Sequence, residues 1–225
     1  MPDTYKIKLI QRPRKTILLK VISADTLEVV APPHVDQKQI QEVLIRKQVK
    51  IETMFASYRA KHGRIRYTTG TTVPYLGTAL ELTFVADSPY VWKLSDTLII
   101  NQVYQPKTHL VLRDFYKTRA VILHKRCLEL AHQHHLIPNR ISLRFVTSRW
   151  GSCSKAGNIS LSIYLMMAPP EVADAVIIHE LAHLKHQNHS AAYWNLVAEL
   201  MPDYQIHHAW LKRNSHLLRI RQPEG

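Results

Sequence analysis

The sequence is poor in cysteine, in glycine and in long apolar runs, and each shortage excludes a class of protein. Two cysteines, Cys127 and Cys153, cannot build a disulfide framework, so reduced thiols in the cytosol are the simplest expectation. Only 6 glycines and 12 prolines argue against low-complexity sequence. No apolar run approaches the ~18 residues of a membrane helix, and the opening MPDTYKIKLIQRPRK has no apolar signal core. We therefore expect a cytoplasmic protein that neither crosses a membrane nor is secreted.

Acidic residues are also scarce, and the shortage is uneven along the chain. The sequence has 30 Lys and Arg against 17 Asp and Glu, a formal net charge of +13. Residues 1–66 hold 14 basic against 6 acidic residues, whereas residues 141–225 hold 8 against 6. A basic surface attracts phosphates, so the N-terminal region is a possible contact for nucleic acid. The alternative is a solvated face that only aids solubility.

The order of periodic segments predicts an α+β protein in two parts. Residues 1–105 are expected to form a basic, β-rich region with one helix at 35–58, capped by Asp36. Residues 106–225 are expected to form a helical domain with a small sheet. The predicted strands are 7–10, 17–22, 27–30, 64–67, 72–76, 79–85, 91–100, 141–146 and 158–165, and the later helices are 110–135, one ending near 188, 190–201 and 203–218.

The chemistry is concentrated in one helical segment that contains His179, Glu180 and His183. Two histidines four residues apart lie ~40° apart around a helix and one turn along it, so both imidazoles can reach one metal ion. The glutamate is rotated by ~100° from the first histidine, so it can hold a water molecule without ligating the metal. This is the His-Glu-x-x-His pattern of zinc hydrolases.

A catalytic zinc ion needs a third protein ligand, and we choose His189. It follows Asn188, a residue that tolerates the left-handed conformation in which helices end, so the chain could fold back toward the metal there. The alternatives for the third ligand are Glu199, His186, His207 and His208.

Several motifs together resemble the YgjP-like metallopeptidase family. They are Ser148-Arg-Trp-Gly-Ser-Cys-Ser154, Gly157-Asn-Ile-Ser-Leu161, Met167-Ala-Pro-Pro170, the stretch from His179 to Ser190, Trp194, Met201-Pro-Asp203 and Trp210-Leu211. The resemblance implies a zincin-like metallopeptidase domain, with zinc at His179, His183 and His189 and with Glu180 catalytic. It also implies kinship with SprT-like proteases, which act on proteins at DNA, and nucleotide hydrolysis has been attached to the family as well.

Three further residues are candidates for binding substrate. Asn158 begins a segment that we expect to be an edge strand, where an extended peptide could pair through its main chain. Arg149 could bind an oxyanion or a phosphate, and Tyr193 is a second candidate donor to the oxyanion. The alternative for Arg149 is an ion pair with a carboxylate.

These features support three hypotheses. The first is a zinc-dependent hydrolase with one Zn²⁺ per chain, or another divalent metal, that acts as a metallopeptidase on peptides or proteins through a zinc-bound water activated by Glu180. The second keeps the metal but changes the substrate to a nucleoside triphosphate, split as by a pyrophosphohydrolase. The third is a basic nucleic-acid-binding module with a structural zinc, for which Cys153 would be the fourth ligand.

Overall fold

The computed structural model describes residues 5–224, apart from the side chains of residues 60–62, and it confirms the α+β class. The chain divides into two compact units, Met1–Arg64 and Ile65–Gly225. The division thus falls well before the boundary predicted at residue 105. Residues 67–100 belong to the second unit because their side chains are buried in one core with those of the later helices.

The first unit packs two helices on a three-stranded sheet. Its elements are β1 (Lys6–Gln11), β2 (Leu18–Val21), β3 (Thr26–Ala31), α1 (Gln37–Arg46) and α2 (Gln48–His62). Strand β3 is central, parallel to β1 and antiparallel to β2. The single helix predicted at 35–58 is broken at Lys47 (φ −104°, ψ 14°). The predicted cap is present: an Asp36 carboxylate oxygen accepts the Gln39 N–H at 2.7 Å.

The second unit contains two small sheets and five helices among its described residues. Its elements are β4 (Thr72–Tyr75), β5 (Thr78–Val85), β6 (Trp92–Leu94), β7 (Leu98–Asn101), α3 (Thr108–Arg119), α4 (Val121–Gln133), β8 (Arg140–Arg144), β9 (Gly151–Cys153), β10 (Asn158–Ser162), α5 (Pro170–Ala182), α6 (Ala191–Leu200) and α7 (Tyr204–Asn214). The sheet orders are β4-β5-β7-β6 and β8-β10-β9.

The second sheet corrects the prediction of an edge strand that begins at Asn158. Strand β10 is central, parallel to β8 on one side and antiparallel to β9 on the other. The edge strands are β8 and β9, and β9 is absent from the predicted strands. Its three residues are too few to show a period of two in the sequence. The chain reverses between β9 and β10 through Gly157, whose φ of +70° suits glycine.

Four further helix and strand predictions need correction. The strand expected over 91–100 is two antiparallel strands, β6 and β7. The helix expected over 110–135 is two helices, α3 and α4, separated at the buried Ala120. Helix α5 ends at Ala182 rather than near residue 188. The strand predicted at 64–67 is only an isolated bridge between Ile65 and Pro223.

Helix α5 is the central helix of the second unit. Most of its residues are buried, as expected for a helix that other elements cover on several sides. Asp174 of α5 accepts two parallel hydrogen bonds from the Arg126 guanidinium of α4, at 2.9 and 2.8 Å. The helix that carries the His-Glu-x-x-His pattern is therefore held firmly by its neighbours.

Hydropathy along the helices bears on the membrane prediction. Between residues 5 and 224, no helix has both the length and the apolarity needed to span a bilayer.

Candidate metal centre

The C-terminal turn of α5 positions the first two histidines. His179 and Glu180 lie in this turn, and His183 is the residue at which the helix ends, with helical backbone angles (φ −66°, ψ −15°). Buried apolar residues such as Ile178 and Leu181 anchor the helix from the other sides. The spacing of four residues therefore places both imidazoles on one face of a rigid support, as predicted.

The chain then turns back and brings His189 beside this pair. The turn is made after Ala182 by 3₁₀ and helical bonds, including His186 N–H to the Ala182 carbonyl at 3.0 Å. Asn188, predicted as the end of the helix, is not among the described residues with positive φ. His189 directly precedes Ser190, which caps α6. His189 therefore reaches the other two histidines because α5 ends at Ala182 and the chain reverses before α6 begins.

Three imidazoles converge in the resulting cluster. Ligand atoms of His179, His183 and His189 all lie within 4.8 Å of one another, and Nε2 of His179 is 3.2 Å from Nε2 of His189. Histidine, cysteine and carboxylate side chains are the usual metal ligands. Among those of residues 5–224, the three histidines form the group that could hold a metal ion. The rival ligands lie outside it: Glu199, His186, His207, His208 and Cys153.

The geometry and the tautomers of the cluster fit a divalent metal. Two nitrogens bound to one tetrahedral zinc at ~2.0–2.1 Å would stand ~3.3 Å apart, close to the 3.2 Å between His179 and His189. Nδ1 of His183 lies 3.0 Å from the His186 carbonyl oxygen, which only accepts, so Nδ1 carries the proton. Nε2 of His183 is left with a free lone pair, as a metal ligand requires.

The electrostatics of the site favour neutral imidazoles. Burial lowers the pKa of His179 to about 4, and the neighbouring His183 contributes to the same shift. Burial also lowers the pKa of His183. Two of the three histidines are therefore neutral near pH 7, the form that binds metals.

Glu180 lies beside the cluster but outside it, packed against the edge strand β9. Its side chain is buried, and a Cβ built on Gly151 would come within 2.6 Å of its Cγ and 2.8 Å of its Cδ. No side chain fits at residue 151 while the glutamate keeps this position. Burial raises the pKa of Glu180 to about 7, and the charge of Arg149 acts in the opposite direction.

Two tyrosines hold the histidines in place. The Tyr193 hydroxyl donates to the His179 carbonyl at 3.0 Å, and its ring stacks on His183 with centroids 4.6 Å apart. The Tyr204 hydroxyl lies 3.0 Å from Nδ1 of His179. Tyr193 is completely buried and its proton is engaged, so its hydroxyl is not directed at a substrate. The prediction that Tyr193 donates to an oxyanion therefore gives way to a supporting role.

The other two predicted substrate residues lie on the small sheet. Arg149 is exposed just before β9, and no described carboxylate pairs with it. Asn158 begins β10, where its N–H donates to Ser154 Oγ and its carbonyl accepts from the Ser154 N–H. Because β10 is central, Asn158 cannot pair with an added peptide through its backbone.

Two residues of the site escape prediction from the sequence. Gly151 belongs to one of the family motifs, but the motif does not indicate that Glu180 packs against it. Tyr204 is 25 residues from His179, and no local pattern connects them. For Gly151, the available signal in the sequence is a glycine within a short strand, which often marks the close approach of another group.

Comparison with known proteins assigns the chain to a family. The sequence profile described as "YgjP-like, metallopeptidase domain" matches residues 15–214, which is most of the chain. The chain belongs to the YgjP-like family. This confirms the resemblance drawn from the motifs, and the family description supports a metallopeptidase-like hydrolase.

Two individual proteins are also similar. A UTP pyrophosphatase of Escherichia coli (strain K12) is 29% identical over 72 residues, which cover 31% of this chain and 43% of that protein. The match thus spans less than half the length of this relative. The crystal structure of the metallopeptidase zymogen of Pyrococcus abyssi abylysin aligns with a TM-score of 0.38 and 21% identity, over 44% of this chain and 98% of the other.

Proposed function

We propose that the protein is a zinc-dependent metallopeptidase in which His179, His183 and His189 hold one metal ion and Glu180 is the general base. The observation that carries the proposal is the convergence of three imidazoles within 4.8 Å beside a buried glutamate that is not part of the cluster. Three protein ligands with a free fourth position are typical of catalytic zinc, whereas structural zinc has four.

The chain's own residues account for the proton transfers. A bound divalent metal would polarise a substrate carbonyl and make a water molecule more acidic. A Glu180 carboxylate oxygen would accept a proton from the attacking water and later pass it to the leaving amine. Tyr193 and Tyr204 keep the histidines oriented during these steps, the first through the backbone of α5 and the second through the ring of His179.

Strand β9 supports a peptide as the substrate. It is one of the two edge strands of its sheet, and it touches Glu180 at Gly151. An extended peptide added to this edge through main-chain hydrogen bonds would therefore lie near the carboxylate. The sequence predicts this role for Asn158 and its strand, and we assign it to β9 instead.

The role of Glu180 is tested with Glu180→Gln, which keeps the shape of the side chain and removes the base. We expect zinc content to stay stoichiometric and casein hydrolysis to fall by a factor of ~10² or more. Glu199→Gln is the matched control, because Glu199 is exposed and outside the cluster, and it should keep both. Hydrolysis at the wild-type rate in Glu180→Gln would refute the assignment.

The metal site is tested with His179→Ala and the control His186→Ala. We expect His179→Ala to lose zinc, measured by elemental analysis after dialysis, and His186→Ala to keep it, since only the backbone of His186 contacts the cluster. Equal zinc content in both variants would contradict the assigned ligand set.

The similarity to the UTP pyrophosphatase favours a second candidate, hydrolysis of a nucleoside triphosphate at the same metal. The test incubates the protein with UTP and with casein in parallel, in wild type and in Glu180→Gln. Loss of pyrophosphate release in Glu180→Gln, with no casein cleavage by wild type, would favour this candidate over the peptidase.

The nucleic-acid hypothesis now depends only on charge. Cys153 lies outside the histidine cluster, so the structural zinc site that it required has no fourth ligand among the described residues. The net charge of +8 on residues 1–66 still supports a polyanionic partner. Binding of DNA or RNA that falls steeply with salt concentration would support this role, and a flat salt dependence would count against it.

A further inference from the structure

The small sheet carries a cavity whose serine hydroxyls take no part in the proposed hydrolysis. The cavity has a volume of about 450 Å³, a size typical of ligand sites. It is lined by residues of β8, β9 and β10 and by the segment before β9, and none of the lining residues is acidic.

Strand register shows which side chains face this cavity. Ser160 of β10 lies opposite Ser142 of β8 and opposite Ser152 of β9, so three hydroxyl groups share one face across the whole sheet. Ile159 and Leu161 point to the other face and are buried in the core. The Ser142 hydroxyl donates to the Ile159 carbonyl at 3.4 Å. The hydroxyls of Ser152 and Ser160 form no hydrogen bond among the described residues, so they are available to a ligand.

One end of the cavity is cationic. Arg144, at the end of β8, and Arg149, just before β9, both line it and are both exposed. Neither forms an ion pair with a described carboxylate. Two guanidinium groups that form no ion pair, next to neutral hydroxyl donors, are the usual protein partners of a phosphoryl group.

We propose that this cavity is an oxyanion site that binds a phosphoryl group between Arg144 and Arg149, with the serine hydroxyls as further donors. It lies on the opposite face of β9 from Glu180, because Ser152 alternates with Gly151 along the strand. The serine hydroxyls therefore face away from Glu180, whereas the charge of Arg149 still reaches its carboxylate. Phosphate binding here requires neither the histidine cluster nor the proposed hydrolysis.

The test measures binding of inorganic phosphate, and of sulfate as an analogue, to the full chain by calorimetry at constant ionic strength. We expect saturable binding that weakens about tenfold in Arg144→Gln and about tenfold in Arg149→Gln. Arg140→Gln is the matched control, since Arg140 begins the same strand β8 but does not line the cavity, and its affinity should equal that of wild type.

Two further measurements check that phosphate binds in this cavity rather than at the histidine cluster. Ser160→Val removes a donor and fills space without changing charge, and it should weaken binding at unchanged melting temperature. The titration is repeated after zinc has been removed with a chelator. Absence of saturable binding, loss of binding together with zinc, or equal weakening in Arg140→Gln would each overturn the proposal, the last because it indicates only a diffuse positive field.

Discussion

The three candidate ligands differ in how firmly their neighbours hold them. His183 is held by the backbone carbonyl of His186, and His179 by the hydroxyl of Tyr204. His189 is exposed and is supported by stacking on Trp194, with ring centroids 5.5 Å apart. Groups that hydrogen-bond the second nitrogen of a ligating histidine fix its tautomer and raise its affinity for metal.

Tyr204→Phe removes one such group without changing the ring. A neutral His179 that coordinates through Nε2 carries its proton on Nδ1, and this proton would lose its acceptor at 3.0 Å. We expect zinc affinity to fall by a factor of ~10–100, measured by competition with a chromophoric chelator. Tyr90→Phe, at an exposed tyrosine, is the control. Unchanged affinity in Tyr204→Phe would show that the contact does not position His179.

Gly151→Ala tests the contact between Glu180 and β9. A methyl group at this position would come within 2.8 Å of Cδ of Glu180, so the carboxylate must move. We expect hydrolysis to fall at least tenfold with zinc content unchanged, and stability to fall by ~1–3 kcal/mol from the steric conflict. Lys155→Ala, in the exposed turn after β9, should leave all three quantities at wild-type values. Full activity in Gly151→Ala would show that Glu180 can work from another position.

At the scale of elements, the site depends on the placement of α5 among its neighbours. The helix is covered on several sides by other parts of the second core, and the Arg126–Asp174 pair joins it to α4. Asp174 is largely buried, with 16% of its side chain exposed, whereas Glu129, the other partner of Arg126, is 46% exposed. Paired hydrogen bonds to a largely buried carboxylate contribute more than an exposed ion pair.

Asp174→Asn removes the charge and leaves the side chain in place. We expect the free energy of unfolding to fall by about 1–2 kcal/mol, measured by urea denaturation, because hydrogen bonds to charged groups are lost. Glu129→Gln should cost no more than ~0.5 kcal/mol, since its pair is exposed. An equal loss in the free energy of unfolding for the two variants would mean that burial of the Arg126–Asp174 pair adds no stability.

At the scale of the whole molecule, the division at Arg64 makes the second unit a candidate for independent folding. It contains the histidine cluster, Glu180 and the tyrosines that contact the cluster. The strands β4–β7 belong to it because buried residues such as Leu82, Leu98 and Ile100 share one core with α3, α4 and α5.

Two truncated chains distinguish this division from the boundary predicted at residue 105. A chain of residues 65–225 should unfold cooperatively and bind zinc as the full chain does. A chain of residues 106–225 should aggregate or lack a cooperative transition, because it exposes the apolar surface that β4–β7 cover. Cooperative unfolding and zinc binding by the shorter chain would support the boundary at 105 instead.

Features that depend on local geometry can be predicted from the sequence. A spacing of four residues brings His179 and His183 onto one helical face in any fold, and the Asp36 cap involves only residues three apart. Long-range packing sets the end of α5 at Ala182, the position of β9 at an edge of its sheet, and the contacts of Gly151 and Tyr204 with the site. Those contacts depend on where distant segments pack. A three-residue strand has no readable period, and a hydrogen bond across 25 residues leaves no pattern in the residues between.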